Sequence, residues 1–220
     1  MTSHFHFGRD RDFHELLADG IVHIIGVVLA LIGVTALIYH ATALHNPGAL
    51  AAASIYGLGL IGALVVSFTY NMLRPSRLKW IMRRLDHSAI FVLIAATYTP
   101  FLQPGTKDPL IFGLLLAIWA MAGFGVVLKC ALPGRYDRLA IVLYLLMGWS
   151  GLVAIGPIAQ LLPPLSVILI VVGGIIYTAG VVFHVWERLR FQNAIWHGFV
   201  VAAAAAHYAA VLTAFRQAAI

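Results

Sequence analysis

The chain has 220 residues, 62% hydrophobic and only 10% charged, where water-soluble domains carry roughly 25% charged residues. With a mean hydropathy of +0.95, its apolar surface exceeds what one soluble core could hide, and the chain reads as an integral membrane protein. A net charge of +6 without a recognition module does not point to nucleic acid, so no nucleic-acid partner is expected.

Residues 1–14 form a short head, too short to fold alone, with His4, His6 and His14 in it and His23 just beyond. Residues 15–220 read as a single transmembrane domain. Stretches free of Lys, Arg, Asp and Glu run over 20–73, 87–106, 109–128, 139–186 and 191–215. A span needs about 20 apolar residues, so the first and fourth stretches each hold two. HNPG (His45 to Gly48) divides the first, and QLLPP (Gln160 to Pro164) divides the fourth. Seven helices are predicted, over 15–43, 50–73, 80–102, 109–131, 136–158, 164–186 and 192–215. The fold class is therefore all-α, a polytopic seven-transmembrane-helix bundle. A barrel is excluded, because its strands would be about 10 residues of alternating polarity. The first span is not a cleavable signal peptide, since acidic residues precede it and it is too long. The lone Cys130 cannot form an intrachain disulfide and reads as a packed, inert thiol.

Charge also orients the bundle. The amino terminus and the loops after spans two, four and six hold Arg9, Arg11, Arg74, Arg77, Lys79, Arg83, Arg84, Lys129, Arg135, Arg138, Arg188 and Arg190. The other side holds Lys107 and Arg216. The positive-inside rule then places the amino terminus in the cytoplasm and the carboxyl terminus outside. Arg74 to Leu85 is basic and partly amphipathic, and is expected to lie along the inner surface before span three turns in. Trp80, Trp186 and Trp196 fall at the cytoplasmic boundary, and Tyr98 reads as an interface anchor next to Pro100, which should end or kink span three.

The polar residues share one depth. Glu15, Asp19 and His23 are spaced i, i+4, i+8 on one face of span one, at its cytoplasmic end. Ser67 and Asn71 end span two. Asp86 and His87 begin span three, and Asn193 and His197 begin span seven. Ionisable groups in a bilayer are costly and face a protein interior or a cavity, so this convergence suits a metal or proton site. The plain alternative is a structural hydrogen-bond cluster in which Arg83 or Arg84 neutralises Asp86. His87, one residue round the helix from Asp86, is expected at the pocket edge or in packing. His184 and Glu187 either join the cluster or face headgroups, and His207 reads as a satisfied core histidine. GLGLIGA (Gly57 to Ala63), Gly148 with Gly151, Gly173 with Gly174 and Ala202 to Ala206 are small-residue packing faces. They also allow a homo-oligomer.

These residues carry a resemblance. RLDHSAIFVLIAATYTPF (Arg84 to Phe101) resembles the third-helix signature of the hemolysin III family. FQNAIWHGFVVAAAAAHY (Phe191 to Tyr208) is similar to its seventh-helix segment, ELLADGIVHIIG (Glu15 to Gly26) to its first-helix ExxNxxxHxxG, and SFTYN (Ser67 to Asn71) to its second-helix SxxYH. The resemblance runs the length of the chain and is of bacterial type, which implies a bacterial inner membrane. It also implies kinship with adiponectin and progestin receptors and, more distantly, with alkaline ceramidases. It implies a zinc ion near the cytoplasmic face, held by the second-helix His and two seventh-helix His residues. The third-helix Asp would hold a water and the second-helix Ser would lie close by.

Here two of the three imidazole positions are Asn71 and Asn193, and only His197 remains; Asp19 stands where the family has Asn. Amide oxygen is a poor zinc ligand. Two readings stay open: a rearranged metal site of His197, Asp86, Asp19 and His23, or a metal-free hydrogen-bond network of Asn71, Asn193, Asp19 and His197. With metal, Asp86 and Ser67 would be the catalytic pair, Glu15 and His87 would line the pocket, and a membrane-lipid amide or ester would be hydrolysed. Without it, the protein would regulate membrane homeostasis. The family name adds a third expectation, a pore-forming cytolysin.

Overall fold

The computed structural model describes residues 11–218; His4, His6 and Arg9 lie outside the described residues. The chain is helical throughout, with no strand among the described residues: α1 (Phe13–Ala43), α2 (Pro47–Met72), α3 (Arg77–Leu102), α4 (Pro109–Ala131), α5 (Asp137–Trp149), α6 (Ile155–Leu161), α7 (Pro164–Val185) and α8 (Gln192–Ala218). A 3-10 segment, Ser150–Ala154, joins α5 to α6. Counting α5–α6 as one, seven helices are long and apolar enough to cross a membrane. Helices satisfy their own backbone groups, which hydrocarbon demands. Their outward faces carry large apolar side chains such as Ile32, Leu58, Phe124, Val153 and Ile168, surface that lipid would cover.

The ends have local causes. Asp12 caps α1 in a reciprocal capping box with Glu15. Asn46 Oδ1 accepts from Gly48 N (2.9 Å) and Ala49 N (3.3 Å), so HNPG closes α1 and opens α2. Ser76 caps α3, its Oγ accepting from Lys79 N at 3.1 Å. Most of the basic stretch expected on the membrane surface, Arg77 to Leu85, is thus the start of α3 itself, because the cap starts the helix at Arg77. Lys79 is buried and donates its Nζ to Leu73 O at 2.8 Å. α3 also runs through Pro100 and ends two residues later.

α1 packs on α2 and α8, α2 on α3, α3 on α4, and α7 on α8. α5 touches α3, α4 and α7 sparsely, so the ring is tight on one flank and open along α5. Tyr98 lines that open flank, where its hydroxyl donates to Gly148 O (2.6 Å) and accepts from Gly151 N (2.9 Å). It supplies partners that the 3-10 break removes from the α5 ladder. Gly57 and Gly59 are close-packing positions, facing Val34 and Ala96 at 2.5 Å from where a Cβ would sit, whereas Gly148 faces open space.

Candidate functional site

The i, i+4, i+8 face of α1 is buried as its spacing requires: Glu15, Asp19 and His23 are 3%, 0% and 1% exposed. α8 brings His197 against them and α2 brings Ser67 and Asn71. Asp19 is the hub. His197 Nδ1 donates to Asp19 Oδ1 at 2.6 Å, and His23 Nδ1 donates to Asp19 O at 2.9 Å. Arg11 Nη1 donates to Asp19 Oδ2 at 2.9 Å. A carboxylate and a carbonyl only accept, so both Nδ1 atoms carry hydrogen and both Nε2 atoms present lone pairs. Those lone pairs converge on Ser67 Oγ, 3.3 Å from His23 Nε2 and 3.4 Å from His197 Nε2. One hydroxyl proton thus faces two acceptors. Asp86 lines the same cavity as Ser67.

Beside this lies a second strand of bonds. Asn193 Nδ2 donates to Asn71 Oδ1 at 3.0 Å, Arg11 Nη1 donates to the same oxygen at 3.3 Å, and Arg11 Nη2 donates to Asn71 O at 2.8 Å. Arg11 therefore links Asn193 and Asn71 to Asp19 and His197. Sequence reasoning counted Arg11 as a topology charge; no helical periodicity reaches a residue just ahead of α1, so no signal could place it.

Other expectations resolve by contact. Arg83 reaches Asp137 Oδ2 at 3.1 Å, Arg84 stacks on Trp80 at 3.5 Å, and Asp86 lines the polar cavity with Ser67. Glu15 lines the pocket but acts as a tie: Oε2 accepts from Asp12 N and Oε1 from Phe191 N, at 3.1 and 3.0 Å. Phe191 needs that hold, having a positive φ of 59°. His87 lines the polar cavity, 3.8 Å from Asp137, which also takes Arg83 and a fully buried Lys129. Lys129 was read only as a loop charge. His184 stacks near Trp196 at 4.8 Å, and His207 donates Nε2 to Ile170 O at 3.1 Å as a satisfied core histidine.

Could these residues hold zinc? Ligand atoms of Asp19, His23 and His197 lie within 4.8 Å of one another, close enough to share an ion, and Asp86 is outside that trio. The family's own positions do not fit. Asn71 and Asn193 satisfy each other, and a guanidinium is bonded to Asn71. A cationic neighbour and neutral amides are the reverse of a zinc donor set.

Two cavities adjoin the site. A polar cavity of about 620 Å³ is lined by His23, Ser67, Asn71, Asp86 and His197, with Arg11, Lys79 and Arg83 among its cations. An apolar cavity of about 180 Å³ runs beside α5, past Tyr98, Phe101 and Ile158. Ile90, Leu93, Ile141, His184, Trp196 and Val200 line both.

Fold and site together define a multi-pass membrane protein with a carboxylate–imidazole–hydroxyl centre at one end of its bundle. The model of the family described as Haemolysin-III related matches residues 12–208. The Hemolysin-3 homolog of Bacillus subtilis (strain 168) is 35% identical over 198 residues, 90% of this chain and 93% of its own. Hemolysin-3 of Bacillus cereus is 35% identical over 198 residues, 90% of each chain. The human Monocyte to macrophage differentiation factor is 32% identical over 165 residues, 71% of this chain and 67% of its own. The chain belongs to the haemolysin-III-related family.

Proposed function

We propose that the protein acts on a membrane lipid from the cytoplasmic side of a bacterial inner membrane, hydrolysing an amide or ester bond. One observation carries this reading: the polar cavity with Ser67, Asp86 and His197 shares a wall with the apolar cavity beside α5. An acyl chain needs the second and its carbonyl linkage needs the first, so the junction at Val200 and Leu93 is where a lipid would lie across both. The cations on the polar side suit an anionic headgroup.

The test is release of fatty acid, by mass spectrometry, from vesicles of phosphatidylglycerol, phosphatidylethanolamine and added ceramide carrying the purified chain. Val200→Trp should block the junction and raise the apparent KM, and Asp86→Ala should abolish release. The Asn71–Asn193 pair favours a second reading, in which lipid is bound for membrane homeostasis without turnover. Retention of labelled lipid with no fatty acid released would select it. Release of a trapped dye from the same vesicles would move the assignment to a pore-forming cytolysin.

A further inference from the structure

The centre has the connectivity of a serine nucleophile with its base and orienting carboxylate. Ser67 Oγ lies 3.4 Å from His197 Nε2, and His197 Nδ1 donates to Asp19 Oδ1 at 2.6 Å. Ser67 and His197 line the cavity, whereas Asp19 is wholly buried behind them. Serine hydrolases of unrelated folds share this arrangement, recognised by geometry rather than by sequence order. A nucleophile-to-base contact of this length is usual before substrate tightens it. His197, not His23, is the base. Both rings aim Nε2 at Ser67, but His23 Nδ1 lies nearer the Asp19 carbonyl (2.9 Å) than the carboxylate (3.3 Å), whereas His197 Nδ1 donates to the carboxylate at 2.6 Å, the contact that best stabilises an imidazolium. Arg11 on the other Asp19 oxygen holds that carboxylate in place.

We infer that Ser67, His197 and Asp19 form a metal-independent acyl-transfer centre in which Ser67 is the nucleophile. It rests on the lipid reading above for its substrate but not for its chemistry. Ser67 Oγ bonds to the acyl carbonyl carbon and its proton passes to His197 Nε2. The tetrahedral adduct collapses, the bond to the alcohol or amine breaks, and that group leaves with the proton from His197. Water then attacks the acyl-Ser67 ester, His197 takes its proton, and fatty acid departs as Ser67 regains the hydrogen. Asn71 Nδ2, 3.5 Å from Ser67 Oγ, is an amide donor for the developing oxyanion. An amide at this position fits a centre that stabilises charge by hydrogen bonds instead of by an ion.

The experiment treats the full-length purified chain, in vesicles of phosphatidylglycerol and phosphatidylethanolamine, with a fluorophosphonate probe, with and without a zinc chelator. Peptide mass spectrometry locates the adduct and fatty-acid release is read in parallel. A chelator-insensitive adduct on Ser67 is expected, absent in Ser67→Ala and slowed at least about 100-fold in His197→Asn. Asp19 is a positioning residue: Asp19→Asn should slow labelling and Asp19→Glu should restore part of it, which a merely structural role would not do. Fatty-acid release without an adduct on Ser67 overturns this centre and leaves the lipid reading standing. An adduct without fatty-acid release keeps the centre and removes the lipid substrate. Labelling abolished by the chelator, or absent together with release, overturns the inference.

Discussion

Arg11 lies ahead of every predicted span, yet it holds the centre together, its guanidinium bridging Asp19 Oδ2 and Asn71 Oδ1. A buried carboxylate stripped of its partner costs about 3–5 kcal/mol. Arg11→Met should therefore lower thermal stability in detergent toward the low end of that range, since Asp19 keeps His197 at 2.6 Å, and Asp19→Asn likewise. The pair changed together should lose less than the sum, because neither leaves the other's charge stranded; simple additivity would show that the bridge carries no coupling. The same guanidinium bears on metal. Wild-type protein should purify with substoichiometric zinc by elemental analysis. Asn71→His with Asn193→His would gather three imidazoles with His197 and should gain zinc, more so with Arg11→Gln, which removes the competing charge; stoichiometric wild-type zinc would refute the fit argument made from Asn71. Much of the centre was legible. Helical spacing put Glu15, Asp19 and His23 on one face, and charge-defined span ends put Ser67, Asn71, Asp86, Asn193 and His197 at its depth. Which ring nitrogen faces what was not legible, because that depends on how far α8 and α2 approach α1.

At the scale of elements, the spans were legible because a bilayer enforces both length and the exclusion of charge, so charge spacing alone marks their limits. The break in the fifth span was not. Gly148 and Gly151 carry the same sequence signal whether they pack or punctuate a helix, and it is Tyr98, fifty residues away, that decides by bonding Gly148 O and Gly151 N. Tyr98→Phe should leave both groups without that partner at about 1–3 kcal/mol, read as a lower unfolding temperature, with α5–α6 showing the largest gain in hydrogen exchange. Uniform exchange along the chain would show that Tyr98 does not brace this element. Lys129 ties α4 to the start of α5 through Asp137. Lys129→Met should cost less than Arg11→Met, about 1–2 kcal/mol, since Asp137 is 39% exposed and keeps Arg83 at 3.1 Å. Lys129 looked like a loop charge because it is the third residue from the end of α4, where burial depends on what the next helix brings back.

For the whole molecule, the polar centre and the basic loops occupy the same end of the bundle, and this couples topology to function. By sequence, twelve Lys and Arg residues are assigned to that side against two to the other, so the positive-inside rule predicts that the polar cavity faces the cytoplasm. A lipid would then be engaged from the inner leaflet, its chain running outward along the apolar cavity beside the sparsely packed α5. In a Cys130→Ser background, Lys107→Cys should react with a membrane-impermeant maleimide on intact cells, and Arg135→Cys only after permeabilisation. The reverse pattern would turn the cavity outward and make an outer-leaflet lipid the candidate substrate, while leaving the geometry of Ser67, His197 and Asp19 untouched. That separation is physical: the centre is fixed by contacts among α1, α2 and α8, whereas its compartment is fixed by loop charges that make few of those contacts. Arg11 belongs to both sets. Its removal should weaken the centre while leaving eleven cations on that side, enough to keep the maleimide pattern unchanged.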